Sequence, residues 1–181
     1  NNLSSNMMKI TTDHPNISIV INNAGLTSDS LLIRMTYDQW QKVINTNLSS
    51  NFIIIKSVLT NMIKNRKGKV IGISSVVAVS GNPGQANYVS SKSGMVGLYK
   101  SLAQEVATRN INVNVVSPGF IISPMTEKLN QKQKDKILES IPMRKFGQPS
   151  DVAELVYFLT SNEASYITGQ NFHVNGGMLM V

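Results

Sequence analysis

Ser75-Val-Val-Ala-Val-Ser-Gly-Asn-Pro-Gly-Gln-Ala-Asn-Tyr88-Val-Ser-Ser-Lys92 follows directly on the apolar run Lys69-Val-Ile-Gly-Ile-Ser74. That run is rich in β-branched residues and too short for a helix, so it reads as a buried parallel strand. From about Gln85 the pattern turns helical and places Tyr88 and Lys92 one turn apart, on one face. A nearby cation favours the ionised form of a phenol whose ordinary pKa is about 10, so this spacing predicts a lowered pKa for Tyr88. Such a phenol can act as a proton donor near neutral pH. Ser75, just past the strand end, can hydrogen-bond the same substrate oxygen. Tyr-x-x-x-Lys alone is common in ordinary helices with a half-buried Tyr and a solvated Lys. The strand and the Ser in front of it make this stretch a candidate site.

With 181 residues the chain is long enough for one domain with a sizeable core. It has no cysteine, which excludes disulfides and thiol catalysis. His14 and His173 stand far apart, and no His/carboxylate spacing suggests a metal site. No apolar run has the length that spans a bilayer. The net charge of +7 suits an acidic partner or simple solubility. Its Lys and Arg are scattered over several segments instead of forming one arm or aromatic-interleaved stripe, which argues against nucleic-acid binding. No leader pattern is visible, and composition does not fix a compartment.

Outward from the central stretch, strands and helices alternate. Leu3, Met7, Met8 and Ile10 have helical spacing in a segment that Pro15 ends. Asn16–Ile21 reads as a strand running into Asn22-Asn-Ala-Gly25, where the Gly suits a tight turn and the amides can brace loops or line a pocket. Thr36, with Asp38 and Gln39 behind it, starts a long amphipathic helix to about Asn65. Asn47 sits inside that helix, where an Asn is slightly unfavourable. Arg66, Lys67 and Lys69 cluster where it ends, a good place for cations.

The helix from Gln85 runs to about Thr108, and its Ser90, Ser91, Ser93, Gly94 and Gly97 permit close packing. Asn112–Val116 is a strand stopped by Ser117-Pro118-Gly119, where the backbone can pass close to a ligand. Residues 120–135 are less regular, then basic and polar (Lys128, Lys132, Lys134, Lys136), and suit a mobile lid. Ser150 and Asp151 open a helix to about Leu159, and Gln170–Val174 is a last strand before Asn175-Gly-Gly177. The alternation predicts a parallel α/β sheet with helices on both faces, whose ligands sit beyond the strands' carboxyl ends. Asn22–Gly25, Ser75 and Pro118–Gly119 each follow a strand and collect at that edge.

The central stretch resembles the active-site segment of the short-chain dehydrogenases/reductases, and Gly-Asn-x-Gly-Gln-Ala-Asn-Tyr is most similar to the 3-oxoacyl-[acyl-carrier-protein] reductases among them. The resemblance runs from about residue 16 to Val181 and includes Asn22-Asn-Ala-Gly25, Ile167-Thr-Gly169 and Val174-Asn-Gly-Gly-Met178. It implies a Rossmann-like doubly wound parallel sheet. It also implies an NADP(H)-dependent oxidoreductase that reduces 3-oxoacyl groups on acyl carrier protein in fatty acid synthesis, as a homotetramer.

On that match Tyr88 is the general acid, Lys92 lowers its pKa and binds the nicotinamide ribose, Ser75 orients the carbonyl, and Asn47 completes a proton relay. Asn22, Ala24, Gly25, Tyr88, Lys92, Pro118, Gly119, Ile121 and Ser123 fall on cofactor-binding positions, with Ser123 in place of the usual Thr. Arg66 and Arg109 match positions that dock acyl carrier protein. Ile122 and Pro124 depart from polar residues common in the lid.

No Gly-rich dinucleotide fingerprint precedes Asn22, whereas the family's fold has three earlier strands. The expectation is therefore that residues 1–181 form a single domain, the C-terminal portion of such a fold, lacking roughly 60 residues at about 30 per βαβ-scale unit. Its first strand would then be a bare apolar edge. Alternative readings are a short-chain reductase acting on acyl-CoA, a sugar or a small ketone, or a non-catalytic subunit that keeps the fold.

Overall fold

A computed structural model describes residues 2–123, 126 and 130–181. Pro124 and Lys128 of the expected lid lie outside the described residues. Helix α1 (Asn2–Asp13) leads into strand β1 (Ile19–Asn22), followed by α2 (Tyr37–Ile44), α3 (Ser50–Asn65), β2 (Gly68–Ile73), a short α4 (Val77–Ser80) and α5 (Ala86–Val106). Strand β3 (Ile111–Pro118), α6 (Gln131–Glu139), α7 (Pro149–Thr160) and β4 (Asn171–Val174) complete the order. The strands pair in parallel as β1-β2-β3-β4, with Val70 opposite Val113 and Ser117 opposite His173.

Successive strand residues point to opposite faces. Val70, Val113 and Val115 pack with Met7 of α1, Ile55 and Met62 of α3, and Met95 and Leu102 of α5. Ile71 and Val116 point the other way and pack with Val156 and Leu159 of α7. Burial on both faces explains the apolar run Val70–Ile73 of β2, whereas β3 buries Asn112 and Asn114 among its valines with their amides donating to Ser165 O and Ile167 O. Helix α7 reaches β2 and β3, while Ile19 and Ile21 of β1 stay about half exposed at 48% and 47%.

Local chemistry sets the element ends. Thr36 and Gln39 form a reciprocal capping box at α2, as the sequence suggests. A second box, Asn130 with Gln133, starts α6 inside the stretch expected to be less regular. At α7 the cap is Gln148, with Pro149 in the first turn and Asp151 accepting from the Gln148 N–H at 2.7 Å. Ser150, expected to open the helix, already lies inside it. The amphipathic segment after Thr36 is not one uniform helix, because Asn45–Ser49 form a π turn in which Ser50 N–H reaches Asn45 O.

Two glycines report close approaches. A Cβ on Gly94 would stand 2.8 Å from Leu48, so the small-residue face of α5 does pack tightly there, whereas Gly97 faces open space. A Cβ on Gly72 would stand 2.7 Å from the Tyr99 ring. Gly72→Ala therefore forces the ring out of its seat and is expected to cost about 3 kcal/mol, the upper range for overpacking. A urea titration reads this as a lower midpoint at unchanged slope.

Candidate active site

The carboxyl ends of β1, β2 and β3 open onto one crevice of about 530 Å³, a size that suits a small-molecule site. Gly25, Ser75, Tyr88, Lys92, Pro118, Gly119, Ile121 and Ser123 all line it. Thr126, not singled out from sequence, lines it too, and its hydroxyl accepts from Ser123 N–H at 2.8 Å.

Tyr88 and Lys92 share a face of α5, with the ammonium 5.6 Å from the phenol ring centre. Lys92 is only 3% exposed, and its ammonium donates to Ile73 O at 2.6 Å. Burial brings its pKa from 10.5 down to about 8. Burial also pushes the Tyr88 phenol above its ordinary value; the Ser75 hydroxyl opposes this and the Asp29 carboxylate adds to it. That direction is the reverse of the one expected from the Tyr88–Lys92 spacing. Desolvation of a phenolate outweighs the Ser75 hydrogen bond here. Tyr88 thus holds its proton at neutral pH, and the two hydroxyls of Ser75 and Tyr88 can meet on one acceptor oxygen.

The start of α5 is clamped from beneath. Asn87, fully buried, accepts from the Tyr88 N–H at 2.8 Å and donates to Ser28 O at 3.0 Å. Ser91 donates to Tyr88 O at 2.7 Å. Gln85 donates to Asp29 at 3.0 Å and ties the 81–85 loop to the loop after β1. The motif Gln-Ala-Asn-Tyr carries these braces, although sequence alone does not say what they hold.

Asn47 is fully buried and is not on the crevice wall. Its side chain accepts from Leu26 N–H at 2.9 Å and donates to Leu26 O at 2.9 Å and to Ser91 Oγ at 3.1 Å. Asn47 thereby holds the loop after β1 against α5. A Cβ on Gly25 would stand 3.4 Å from both Asn47 Oδ1 and Lys92 Nζ, in van der Waals contact with each. Asn22 is buried under the crevice and donates to Tyr99 Oη at 2.7 Å, while Ala24 is exposed beside the crevice and is not part of its lining.

Gly119 lines the crevice, but a Cβ there would meet Asn175 Cβ at 2.8 Å. Its missing side chain serves packing against the segment after β4, not only approach of a ligand. His173 Nδ1 is buried without a partner. Among the described residues no group of three His, Cys, Asp or Glu could hold a metal ion, and no helix is long and apolar enough to cross a membrane.

Arg66 and Arg109 come together, but elsewhere. Arg66 donates to Thr108 O at 2.8 Å, next to Arg109. Both precede the first residues of β2 and β3, so a six-residue strand separates them from the crevice by about 20 Å.

A family model described as enoyl-(acyl carrier protein) reductase matches residues 1–179. The chain is 56% identical over 167 residues to the 3-oxoacyl-[acyl-carrier-protein] reductase of Rickettsia felis, covering 92% of this chain and 69% of that protein. The chain belongs to the short-chain dehydrogenase/reductase family. It is also 51% identical to nodulation protein G of a Rhizobium species, covering 96% of this chain and 71% of that protein. Identity to the 3-oxoacyl-[acyl-carrier-protein] reductase of Staphylococcus epidermidis is 48%, over 95% of this chain and 70% of that protein. The family works with a nicotinamide cofactor. The crevice fits one, with its place at the strand ends, its glycine wall at Gly25 and the Lys92 ammonium beside that wall.

Proposed function

We propose that this protein reduces the 3-oxo group of acyl thioesters on acyl carrier protein to a 3-hydroxyl in fatty acid synthesis, with NADPH as reductant. The observation that carries the reading is the convergence of Ser75, Tyr88 and Lys92 on one crevice wall. Relatives named as 3-oxoacyl-[acyl-carrier-protein] reductases support the choice of substrate.

Gly25, Lys92, Pro118, Gly119, Ile121 and Ser123 would hold the cofactor, with Asn22 and Ala24 shaping the loop behind Gly25. When bound, it supplies the hydride that converts a carbonyl carbon to an alkoxide carbon. Ser75 and Tyr88 hydrogen-bond the substrate oxygen and draw negative charge onto it. Tyr88 then gives its proton to that oxygen, which is far more basic than a phenolate. Lys92 stabilises the tyrosinate left behind, and Asn47 keeps the loop and α5 in place for both.

The 181 residues would form one domain, the C-terminal portion of the family's doubly wound fold. The half-exposed Ile19 and Ile21 on β1 support that reading. Exposed Tyr157, Phe158 and Met180 support burial between subunits, as in a homotetramer.

Arg66 and Arg109 are proposed to dock the acidic carrier. The double variant Arg66→Glu/Arg109→Glu is expected to raise KM for carrier-bound substrate about tenfold or more. Its rate on a free short thioester should stay at the parent value, and a matching change in both substrates would remove the docking role.

The family model's description keeps enoyl reduction as a second reading. A panel of 3-oxoacyl and 2-enoyl thioesters, acyl-CoA, sugars and small ketones separates the readings. Preference for the 3-oxoacyl carrier thioester is the expected result. Turnover of the enoyl thioester alone would replace it.

A further inference from the structure

Beneath the crevice lies a buried polar chain that the reaction just described does not use. Asn22 at the end of β1 donates to Tyr99 Oη at 2.7 Å, and Tyr99 donates to Asn51 Oδ1 at 2.8 Å. Asn51 Nδ2 donates to the carbonyl of Asn47 at 2.9 Å. All four residues are buried, so the phenol satisfies both its donor and its acceptor role without water. The Tyr99 ring fits only because residue 72 is Gly.

The chain ends in the π turn Asn45–Ser49. The altered hydrogen-bond pattern there is supplemented by side-chain donors, with Ser50 Oγ on Thr46 O at 2.6 Å and Asn51 on Asn47 O. The side chain of Asn47 in turn grips Leu26. The loop 22–26 is therefore held at one end by Tyr99 through Asn22 and at the other by Asn47, whose own place Tyr99 sets through Asn51. Gly25, in the middle of that loop, separates Asn47 Oδ1 from Lys92 Nζ, each 3.4 Å from where a Cβ would be. Lys92 lies two helical turns before Tyr99 on α5. A shift of a few tenths of an ångström in the loop changes the place of Gly25 against Lys92.

We propose that Tyr99 is a positioning residue for the reduction, whose hydroxyl locks the loop at Gly25 and the turn at Asn47 into one register against Lys92. This rests on the reductase reading above. A network of this kind adds little net stability compared with apolar packing, because its polar groups were hydrogen-bonded to water before folding. What it fixes is a unique arrangement, and misplacement near reacting groups is expensive in rate.

Tyr99→Phe deletes one oxygen and keeps the ring over Gly72, so the variant folds. Its kcat is expected to fall about tenfold, with KM for NADPH within about twofold of the parent. Asn51→Leu should behave alike, and the double variant should lose no more than the worse single one. Amide hydrogen exchange should accelerate together in residues 22–27 and 45–51, a readout independent of activity. A kcat per folded molecule within twofold of the parent, or faster exchange confined to the surroundings of residue 99, overturns the inference. If the parent reduces no carbonyl while exchange still rises in both segments, the reductase reading fails and the mechanical link survives.

Discussion

Tyr88→Phe is expected to lower kcat about 1,000-fold with little change in the fold or in cofactor affinity, the middle of the range for loss of a general acid. The phenol stands at the crevice wall with Ser75, and burial keeps it protonated at neutral pH. Phe preserves the ring that sits near the Lys92 ammonium, so packing is conserved. Steady-state NADPH oxidation with a 3-oxoacyl thioester, alongside NADPH binding, separates the two effects. A variant that binds NADPH yet retains a tenth of the parent kcat would show that the proton comes from elsewhere.

Lys92→Met is expected to stop turnover and at the same time stabilise the protein below about pH 8. The ammonium is buried, and its pKa falls from 10.5 in the unfolded chain to about 8 in the folded one. Between these values the unfolded chain binds more protons, so the stability of the parent rises as pH climbs from about 8 towards 10.5. Below pH 8 the full cost of burying the charge is present, about 3 kcal/mol for a shift of this size. Loss of the hydrogen bond to Ile73 O returns about 1 kcal/mol of that. The variant should therefore unfold at higher denaturant at pH 7, and its advantage should shrink by pH 10. A variant less stable at pH 7 would mean that the ammonium is held by attraction rather than merely tolerated. The parent's kcat should decline with an apparent pKa near 8 on the alkaline side, as the charge that stabilises tyrosinate is lost.

The layered α/β fold was legible because burial leaves a plain trace, the apolar run Val70–Ile73 of β2 and the β-branched residues of Ile111–Val116 in β3, set between amphipathic helices. The crevice was legible because three strands end in turn residues, Gly25, Ser75 and Pro118–Gly119. What the sequence did not disclose are features that leave the apolar period untouched. The π turn at Asn45–Ser49 inserts one extra residue per turn while Val43, Leu48 and Ile55 continue to alternate with polar positions, so the helix reads as uninterrupted. The sign of the Tyr88 shift depends on how deeply α5 is buried, which residue spacing does not encode. Tyr99 sits at an ordinary core spacing on α5. Gly72 among the β-branched Val70, Ile71 and Ile73 was the available sign that a large ring approaches the backbone there. The box of Asn130 and Gln133 could have been read as a helix start, but the surrounding lysines carry no apolar stripe. Arg66 and Arg109 lie far apart in sequence and meet only because β2 and β3 are neighbours.

The central claim is that this crevice binds NADPH and spends it on a 3-oxo group. Titrating the protein with NADPH and following its fluorescence, then adding acetoacetyl thioester to the complex, tests it most directly. Saturable binding followed by oxidation of NADPH, lost in Tyr88→Phe and Ser75→Ala, is the predicted result. A protein that binds neither NADPH nor NADH would contradict the claim and leave Ser75, Tyr88 and Lys92 as parts of a scaffold without the chemistry.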